Sequence, residues 1–216
     1  MRRFLPWIII GVLILIGYSY FKGINNTAVA LDQNVKEAWG NVQTSYQRRN
    51  DLIGNLVNTV KGAADFEKGT LTAVMEARSK ATQITVDPTN ITPEQLTQFN
   101  QAQSGVSSAL SRLLVTVEQY PQLKANENFL KLQDELTSTE NTIQTARTRF
   151  NEAIKPYNNH VSIFPNSIFT GWFGFKEKPY FDAEPQAQNA PKVDFNFDDK
   201  AEKNNVNRRR FLVKNR

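Results

Sequence analysis

The stretch "VKEAWGNVQTSYQRRNDLIGNLVNTV", residues 35–60, decides the fold class. Its large apolar side chains recur every three or four positions, which places them on one face of a helix. They are Val35, Trp39, Val42, Tyr46, Ile53, Leu56 and Val60. The spacing is close to a heptad repeat with one gap, and that gap falls on Arg49. The stretch predicts a long helix that buries one face and carries one charged residue in the buried seam.

Three further apolar stripes follow, beginning near Phe66, Leu96 and Phe129. Directly before the stripe that begins at Leu96, "TPEQ" (residues 92–95) has the pattern of a helix start. Threonine is the N-cap, proline is at the first helical position and glutamine is the capping-box partner. No segment before residue 160 alternates with the two-residue period of a strand. We therefore predict an all-α fold, with an antiparallel four-helix bundle over residues 23–160. An intermolecular coiled coil is the alternative.

The segment "FLPWIIIGVLILIGYSYF", residues 4–21, contains no charged side chain. As a helix it would be about 27 Å long, close to the thickness of a hydrocarbon core. Trp7 lies near one end, and Tyr18 and Tyr20 lie near the other, where aromatic rings favour the membrane interface. We predict a transmembrane anchor over residues 1–22 that contacts lipid through residues 4–21.

Two features bear on how this anchor is processed and oriented. A cleaved signal peptide is the alternative, but the Ala28-Val29-Ala30 triplet lies far beyond the apolar run. The arginines at positions 2 and 3 outweigh Lys22 in the flanks. Because positively charged flanks are retained on the cytoplasmic side, we predict a single-pass membrane protein with a cytoplasmic N-terminus and an extracytoplasmic bundle.

The net charge of +5 is not located on the predicted bundle. Residues 23–181 carry 15 basic and 15 acidic side chains, so the excess positive charge lies at the two ends. We therefore expect no nucleic-acid binding on the folded body. The chain has no cysteine and a single histidine, which excludes disulfides, thiolate chemistry and histidine-rich metal sites. We expect no metal, no cofactor and no catalytic residue.

Residues 161–181 are rich in aromatic side chains and are interrupted by proline and glycine. One interpretation is a turn and a short helix that cap one end of the bundle. The other is an interfacial segment that touches lipid. Its candidate lipid contacts are Ile168, Phe169, Trp172, Phe173 and Phe175. Residues 182–216 are rich in polar and charged residues and end in a basic run, so we predict a disordered basic tail.

The charged seam position predicts a structural polar cluster. Its proposed members are Arg48, Arg49, Asp51, Asn55 and Asn126. A buried charge needs a partner, and the candidates are the segment around Asn126 or the carboxylates of Asp134, Glu135 and Glu140 on the last helix. Such a cluster would fix which helix packs beside the first and in what register. The alternative is a ligand or anion site built from Arg48, Arg49, Asp51 and Asn55.

Several segments in order resemble the LemA family of bacterial membrane-anchored proteins. They are "AWGNVQTSYQRRNDLIGNLVNTVKG" (residues 38–62), "EARSKA" (76–81), "YPQLKANENFLKLQDEL" (120–136), "YNNHVSIFP" (157–165) and "GWFGF" (171–175). The resemblance implies one transmembrane helix followed by an antiparallel four-helix bundle, and it implies no reaction. The family usually has proline where this chain has Gly54, and glycine keeps its backbone N–H.

The expected function follows from the anchor, the bundle and this resemblance. We expect a non-enzymatic scaffold or adaptor of the cell envelope that binds a protein partner or associates with itself. A ligand- or anion-binding module and a lipid-interacting protein that uses the aromatic segment are the alternatives.

Overall fold

The computed structural model describes residues 4–62 and 66–182, and every regular element in these ranges is a helix. The helices are α1 (Leu5–Lys61), α2 (Lys68–Gln83), α3 (Pro93–Val117), α4 (Pro121–Lys124), α5 (Glu127–Ser162) and α6 (Asn166–Trp172). The all-α prediction is confirmed. The predicted disordered tail, apart from its first residue, and the arginines at positions 2 and 3 lie outside the described residues.

Helix α1 is continuous over 57 residues, which corresponds to a length of about 85 Å. A proline lies in its first turn, where the missing N–H costs nothing, and the helix ends before Gly62. Neither Gly23 nor Gly54 interrupts it. Its N-terminal part is long and apolar enough to cross a membrane, and the large side chains from Trp7 to Tyr20 are exposed. One helix therefore joins the apolar segment to the bundle.

The four long helices form a bundle of two antiparallel pairs, α1 with α5 and α2 with α3. In the first pair, Trp39 packs against Phe150, with ring centroids 5.3 Å apart, and Arg49 forms an ion pair with Glu140. Between these two contacts α1 advances ten residues while α5 goes back ten, which gives the antiparallel register. The predicted four-helix bundle is confirmed.

Local sequence signals fix two of the helix starts. Thr92 and Gln95 form both hydrogen bonds of the capping box at the start of α3. The side chain of Asn126 accepts hydrogen bonds from the N–H groups of Asn128 and Phe129 and so caps α5. Both caps satisfy backbone donors that a helix start otherwise leaves unpaired.

The apolar interior divides into two clusters along the bundle. The lower core, nearer the apolar end of α1, contains Trp39, Phe150 and Tyr157. The upper core, toward the far end of α1, contains Leu56 and Phe129. Helices α1, α3 and α5 contribute to both clusters, so the division is not a boundary between domains.

The aromatic segment after α5 folds back onto the bundle. Helix α6 packs against α1 and α5. Residues 173–182, called the strap below, contain no helix and run back along α5, where Phe181 enters the lower core. The segment thus belongs to the same compact unit as the bundle, which covers Met1–Phe181.

Candidate functional site

A layer of buried polar side chains separates the two cores. Its members are Ser45, Arg49 and Asn50 of α1, Gln103 of α3 and Thr139 of α5. Arg49 is the largest of them and is only 2% exposed. A buried guanidinium is costly unless hydrogen bonds and opposite charge compensate for its lost water. The partners of Arg49 therefore decide what this layer does.

The guanidinium of Arg49 bonds to two other helices at once. Its Nη1 donates to Glu140 Oε1 of α5 at 2.8 Å and to Ser107 Oγ of α3 at 3.2 Å. Its Nη2 donates to the side-chain oxygen of Gln103. The Tyr46 ring lies 4.9 Å from the guanidinium carbon and forms a cation–π contact. Arg49 thus connects α1, α3 and α5 at one level of the bundle.

The sequence contains a signal for this layer in three helices. The stripe of α1 has a step of seven positions from Tyr46 to Ile53, and Arg49 lies within it. The stripe of α3 has the same step of seven positions from Phe99 to Val106. The stripe of α5 repeats it between its apolar positions 136 and 143. The structure brings the polar residues in these gaps together.

The layer is not fully satisfied by protein groups. Arg49 Nε and Asn50 Oδ1 are buried atoms without a hydrogen-bond partner in the protein. Each such atom costs roughly 1–3 kcal/mol relative to a hydrogen-bonded one. An apolar layer would therefore hold the helices together more strongly than this one. The polar layer instead suits the selection of one helix register, as a single buried polar residue does in coiled coils.

Only part of the predicted polar cluster assembles. Arg49 is buried as expected, and Glu140 was one of three predicted carboxylate partners. Arg48 and Asp51 are exposed, and Asp51 accepts a hydrogen bond from Gln47 at 3.1 Å. These two residues lie on the outer face of α1 because they are one and two positions away from the seam.

The remaining predicted members also lie elsewhere. Asn55 is exposed on α1, and Asn126 caps α5 instead of pairing with Arg49. Grouping them with Arg49 was wrong, because each has a local position or bonding role that keeps it out of the seam. Gln103 and Ser107 were missed, since uncharged residues in a stripe give a weaker signal than an arginine.

Gly54 lies opposite an arginine of α2. A Cβ atom added to Gly54 would be 3.6 Å from Arg78 Nη2, which is an ordinary van der Waals distance. The guanidinium of Arg78 therefore lies flat against the backbone of α1 at this position. Since α1 is helical on both sides of Gly54, the glycine does not break the helix, and a methyl group would fit there in contact with Arg78.

The strap is held on α5 by two asparagine side chains. Asn158 donates to the backbone oxygen of Lys178 at 2.8 Å and accepts from its N–H at 2.9 Å. Asn151 makes the same pair of bonds with Phe181, at 3.0 and 2.8 Å. Seven residues of helix and three residues of extended chain both span about 10 Å, so the two pairs are in register.

Lys178 of the strap connects three parts of the bundle. Its Nζ lies 2.8 Å from Asp32 Oδ1 of α1 and 3.0 Å from the Pro88 carbonyl oxygen in the α2–α3 loop. It also lies 5.3 Å from the centre of the Tyr157 ring of α5. Lys178 is buried, which no sequence pattern indicated. It is the second charged residue, after Arg49, that ties separate helices together.

The buried ion pair shifts two pKa values. Burial by itself raises the pKa of Asp32, but hydrogen bonds and charge from Lys178 and Lys36 outweigh this effect and hold it below the ordinary value of 3.8. Burial, together with the negative charge of Asp32, raises the pKa of Tyr157 to about 12. Its hydroxyl donates to the Lys176 carbonyl oxygen at 2.9 Å. At neutral pH, Asp32 is therefore ionised and Tyr157 is neutral, and in these forms both side chains hold the strap.

The apolar end of α1 meets α5 and α6 beside the lower core. His160 Nε2 donates to the Ile24 carbonyl oxygen at 2.9 Å, and its Nδ1 accepts from Asn166 at 3.3 Å. Phe21 contacts Phe169 and Phe173 of the aromatic segment, with ring centroids 5.5 and 5.1 Å apart. His160 thus fastens the end of α5 to α1. The predicted interface residues Trp7, Tyr18 and Tyr20 are exposed on α1.

Clefts lie at several places on the surface of the described part of the chain. One, about 950 Å³, lies at the upper end and is lined by Phe66, Leu71 and Met75 among others. A second, about 590 Å³, lies between α1 and His160. A third, about 180 Å³, lies under the strap beside Asp32. Among residues 4–62 and 66–182, no group of three or more acidic or histidine side chains could hold a metal ion.

Comparison with known proteins gives the family of this chain. Magnetosome proteins MamQ 2 and MamQ 1 of Paramagnetospirillum magneticum are each 26% identical to it over 177 residues, which cover 74% of this chain. The chain spans 65% of the length of these two relatives. Protein LemA of Metamycoplasma hominis is 28% identical over 162 residues, covering 74% of this chain and 67% of its own length.

The family comparison covers the strap and the bundle from residue 38 onward. The LemA family matches residues 38–195, which is well over half of the chain. The match contains the Arg49 layer, the strap and the aromatic segment. The long apolar helix, the helical bundle and this match lead to one conclusion: the chain belongs to the LemA family.

Proposed function

We propose that this LemA-family chain is a membrane-anchored scaffold or adaptor of the bacterial cell envelope and has no catalytic activity. Its bundle would be presented at the membrane surface, where it binds a protein partner or a second copy of itself. The observation that carries the proposal is the continuity of α1, which is one helix from the exposed apolar segment through both cores.

The apolar part of α1 supports the anchor. Nine large apolar side chains between Trp7 and Ile16 are at least 47% exposed, so the bundle does not cover them. A soluble protein rarely leaves so large an apolar surface in water. A lipid bilayer would cover it, and residues 4–21 have the length that a bilayer requires.

The orientation is the finer part of the proposal. The two arginines before the apolar segment support a cytoplasmic N-terminus, because positive flanks are retained inside. The bundle would then lie outside the cytoplasm. External protease added to spheroplasts should cleave the bundle, and complete protection until detergent is added would contradict this orientation.

The placement of the polar residues supports a scaffold over an anion-binding module. Arg49 is already bonded to Gln103, Ser107 and Glu140, which leaves little capacity for a ligand. Arg48 and Asn55 are exposed and do not converge on it. A binding site needs several polar groups directed at one point, and this set does not provide them.

The anchor is tested with the full-length chain and a substituted span. The variant Leu13→Lys, Ile14→Lys places two charges in the middle of the apolar segment, at a cost of roughly 3 kcal/mol each. We expect the unchanged chain to stay in the membrane fraction after carbonate washing and this variant to be released. Leu13→Ala, Ile14→Ala is the matched control and should stay. Release of the unchanged chain would overturn the anchor.

The scaffold role is tested by cross-linking in intact membranes. Photoreactive groups at exposed positions, such as Thr72 of α2 and Thr137 of α5, would cross-link proteins that contact different faces of the bundle. We expect a discrete cross-linked product from one face, either with a second, differently tagged copy or with one envelope protein. The absence of any product from exposed positions on all four long helices would contradict the proposal.

A further inference from the structure

The end of the bundle nearest the apolar segment exposes a second group of large apolar side chains. They lie in the segment that follows α5 and extends to the first residue of the strap. Its members are Ile163, Phe164, Ile168, Trp172 and Phe173. Trp172 is 78% exposed and Phe164 is 76% exposed, values as high as those in the apolar part of α1. In water this patch would be unfavourable, because large apolar side chains are stabilised by removal from water.

The contacts of α6 place this patch beside the last turns of the apolar segment. Phe21, the final apolar residue of that segment, packs against Phe169 and Phe173. Asn166, at the start of α6, lines the same cleft as Ile16 and Tyr20. Residues 16–21 cover about 7.5 Å of helix. Helix α6 therefore lies alongside the final turns of the segment.

We propose that α6 and the residues before it lie in the lipid headgroup region and form a second membrane contact of the bundle. The inference rests on the proposed anchor, since the apolar part of α1 brings the patch to the bilayer. An apolar helical face that lies at the membrane surface is buried about 5–10 Å into the boundary between headgroups and acyl chains. Trp172 and Phe164 are the side chains that enter it.

The surrounding residues fit this depth. Lys22 follows Phe21 and Lys176 follows Phe175, and both lysines are exposed. Cations at the rim of an apolar patch bind anionic headgroups. The exposed Glu177 follows Lys176, so the two lysines leave this rim with a net charge of about +1. Lipid therefore matches both the apolar centre and the weakly basic rim. A second protein copy would have to compete with the lipid that already surrounds residues 16–21.

The absence of cysteine allows a direct test on the full-length chain. Single-cysteine variants Phe164→Cys and Trp172→Cys carry an environment-sensitive fluorophore and are reconstituted into phosphatidylcholine–phosphatidylglycerol vesicles. The vesicles contain lipids brominated either near the glycerol or in mid-chain. Val115→Cys is the matched control, since Val115 is an exposed apolar residue (68%) near the upper end of α3. Leu13→Cys reports on the anchor itself. Circular dichroism checks that each variant stays helical.

The inference predicts the depth of each probe in the bilayer. Because the patch would lie in the outer leaflet boundary, shallow bromine should quench the probes at 164 and 172 at least about twofold more than the probe at 115. Mid-chain bromine should quench the probe at 13 most. Removing phosphatidylglycerol should weaken the quenching at 164 and 172 and leave the probe at 13 unchanged.

Three results would overturn the inference. If the probe at 13 is quenched and the probes at 164 and 172 behave like Val115→Cys, the anchor is supported and the second membrane contact is contradicted. If the probes at 164 and 172 are not quenched by bromine and their fluorescence changes with the protein-to-lipid ratio, the patch contacts another copy of the protein instead. Lack of quenching at 13 would remove the proposed anchor and, with it, the basis of the inference.

Discussion

Arg49 is the single residue whose replacement should affect the bundle most specifically. Arg49→Met keeps a long, unbranched side chain that can be buried, but it removes the hydrogen-bond donors to Gln103, Ser107 and Glu140. We expect helix content to be unchanged and the free energy of unfolding to fall by about 1–3 kcal/mol, because Gln103 loses its partner. Broader amide resonances should show a less uniquely packed domain.

The matched control for this prediction is the neighbouring arginine. Arg48 is exposed, so Arg48→Met should change stability by no more than about 0.5 kcal/mol. Chemical denaturation of both variants measures the difference. Equal stabilities for Arg49→Met and Arg48→Met would contradict a registry role of the buried guanidinium.

Asp32 predicts how stability changes with pH. Its pKa is below 3.8 in the folded state, so its ionised form stabilises the fold at neutral pH. This contribution is complete above 3.8 and is lost as the pH falls through the lower folded-state pKa. The free energy of unfolding should therefore decrease in acid, and Asp32→Asn should show a smaller decrease. Asp51→Asn, on the exposed face, should follow the unchanged chain.

At this scale the sequence identified the buried arginine but only part of its surroundings. Arg49 stood out because it interrupts a regular apolar stripe, and a buried charge requires a carboxylate such as Glu140. Gln103 could have been found from the matching gap in α3. Lys178 could not, because its partners on α1 and the α2–α3 loop are distant in sequence and follow no period.

At the scale of elements, the two asparagines predict how the strap can be released. Asn151→Ala, Asn158→Ala removes the four hydrogen bonds that the two asparagine side chains make with the strap backbone, and it keeps the bond from Tyr157 to Lys176. Lys176 should then be cut by trypsin several-fold faster, since cleavage requires the chain to leave α5. The control Asn159→Ala changes an exposed asparagine on the same helix. An unchanged cleavage rate in the double variant would show that the contacts of Phe181, Lys178 and Tyr157 suffice to hold the strap on α5.

Helices were easier to predict than the strap for a physical reason. A helix that buries one face must repeat its apolar residues every three or four positions, and caps such as Thr92 and Asn126 use known side-chain chemistry. The strap is extended and is fastened by asparagine amides and one lysine. Asparagine is common on helix surfaces, so Asn151 and Asn158 carry no distinguishing pattern. The four-residue helix α4 is too short to show a repeat of apolar positions.

At the scale of the whole molecule, the continuity of α1 and α5 through both cores predicts one cooperative unfolding transition. Leu56→Ala in the upper core and Ile154→Ala in the lower core should each destabilise this transition by about 2–5 kcal/mol. Circular dichroism and the fluorescence of the lower-core Trp39, measured with Trp7 and Trp172 replaced by phenylalanine, should report the same midpoint in both variants. Separate midpoints after Leu56→Ala would show that the polar layer divides the bundle into independent units.

The unbroken course of α1 also sets a distance. From Lys22, at the end of the apolar segment, to Lys61 the helix rises by about 58 Å. If the bilayer ends at Lys22 and α1 is perpendicular to it, the upper end of the bundle lies about 58 Å from the lipid surface. Because α1 is a continuous helix, this distance is fixed, and a membrane-bound partner that contacts the upper end would have to extend equally far from the bilayer.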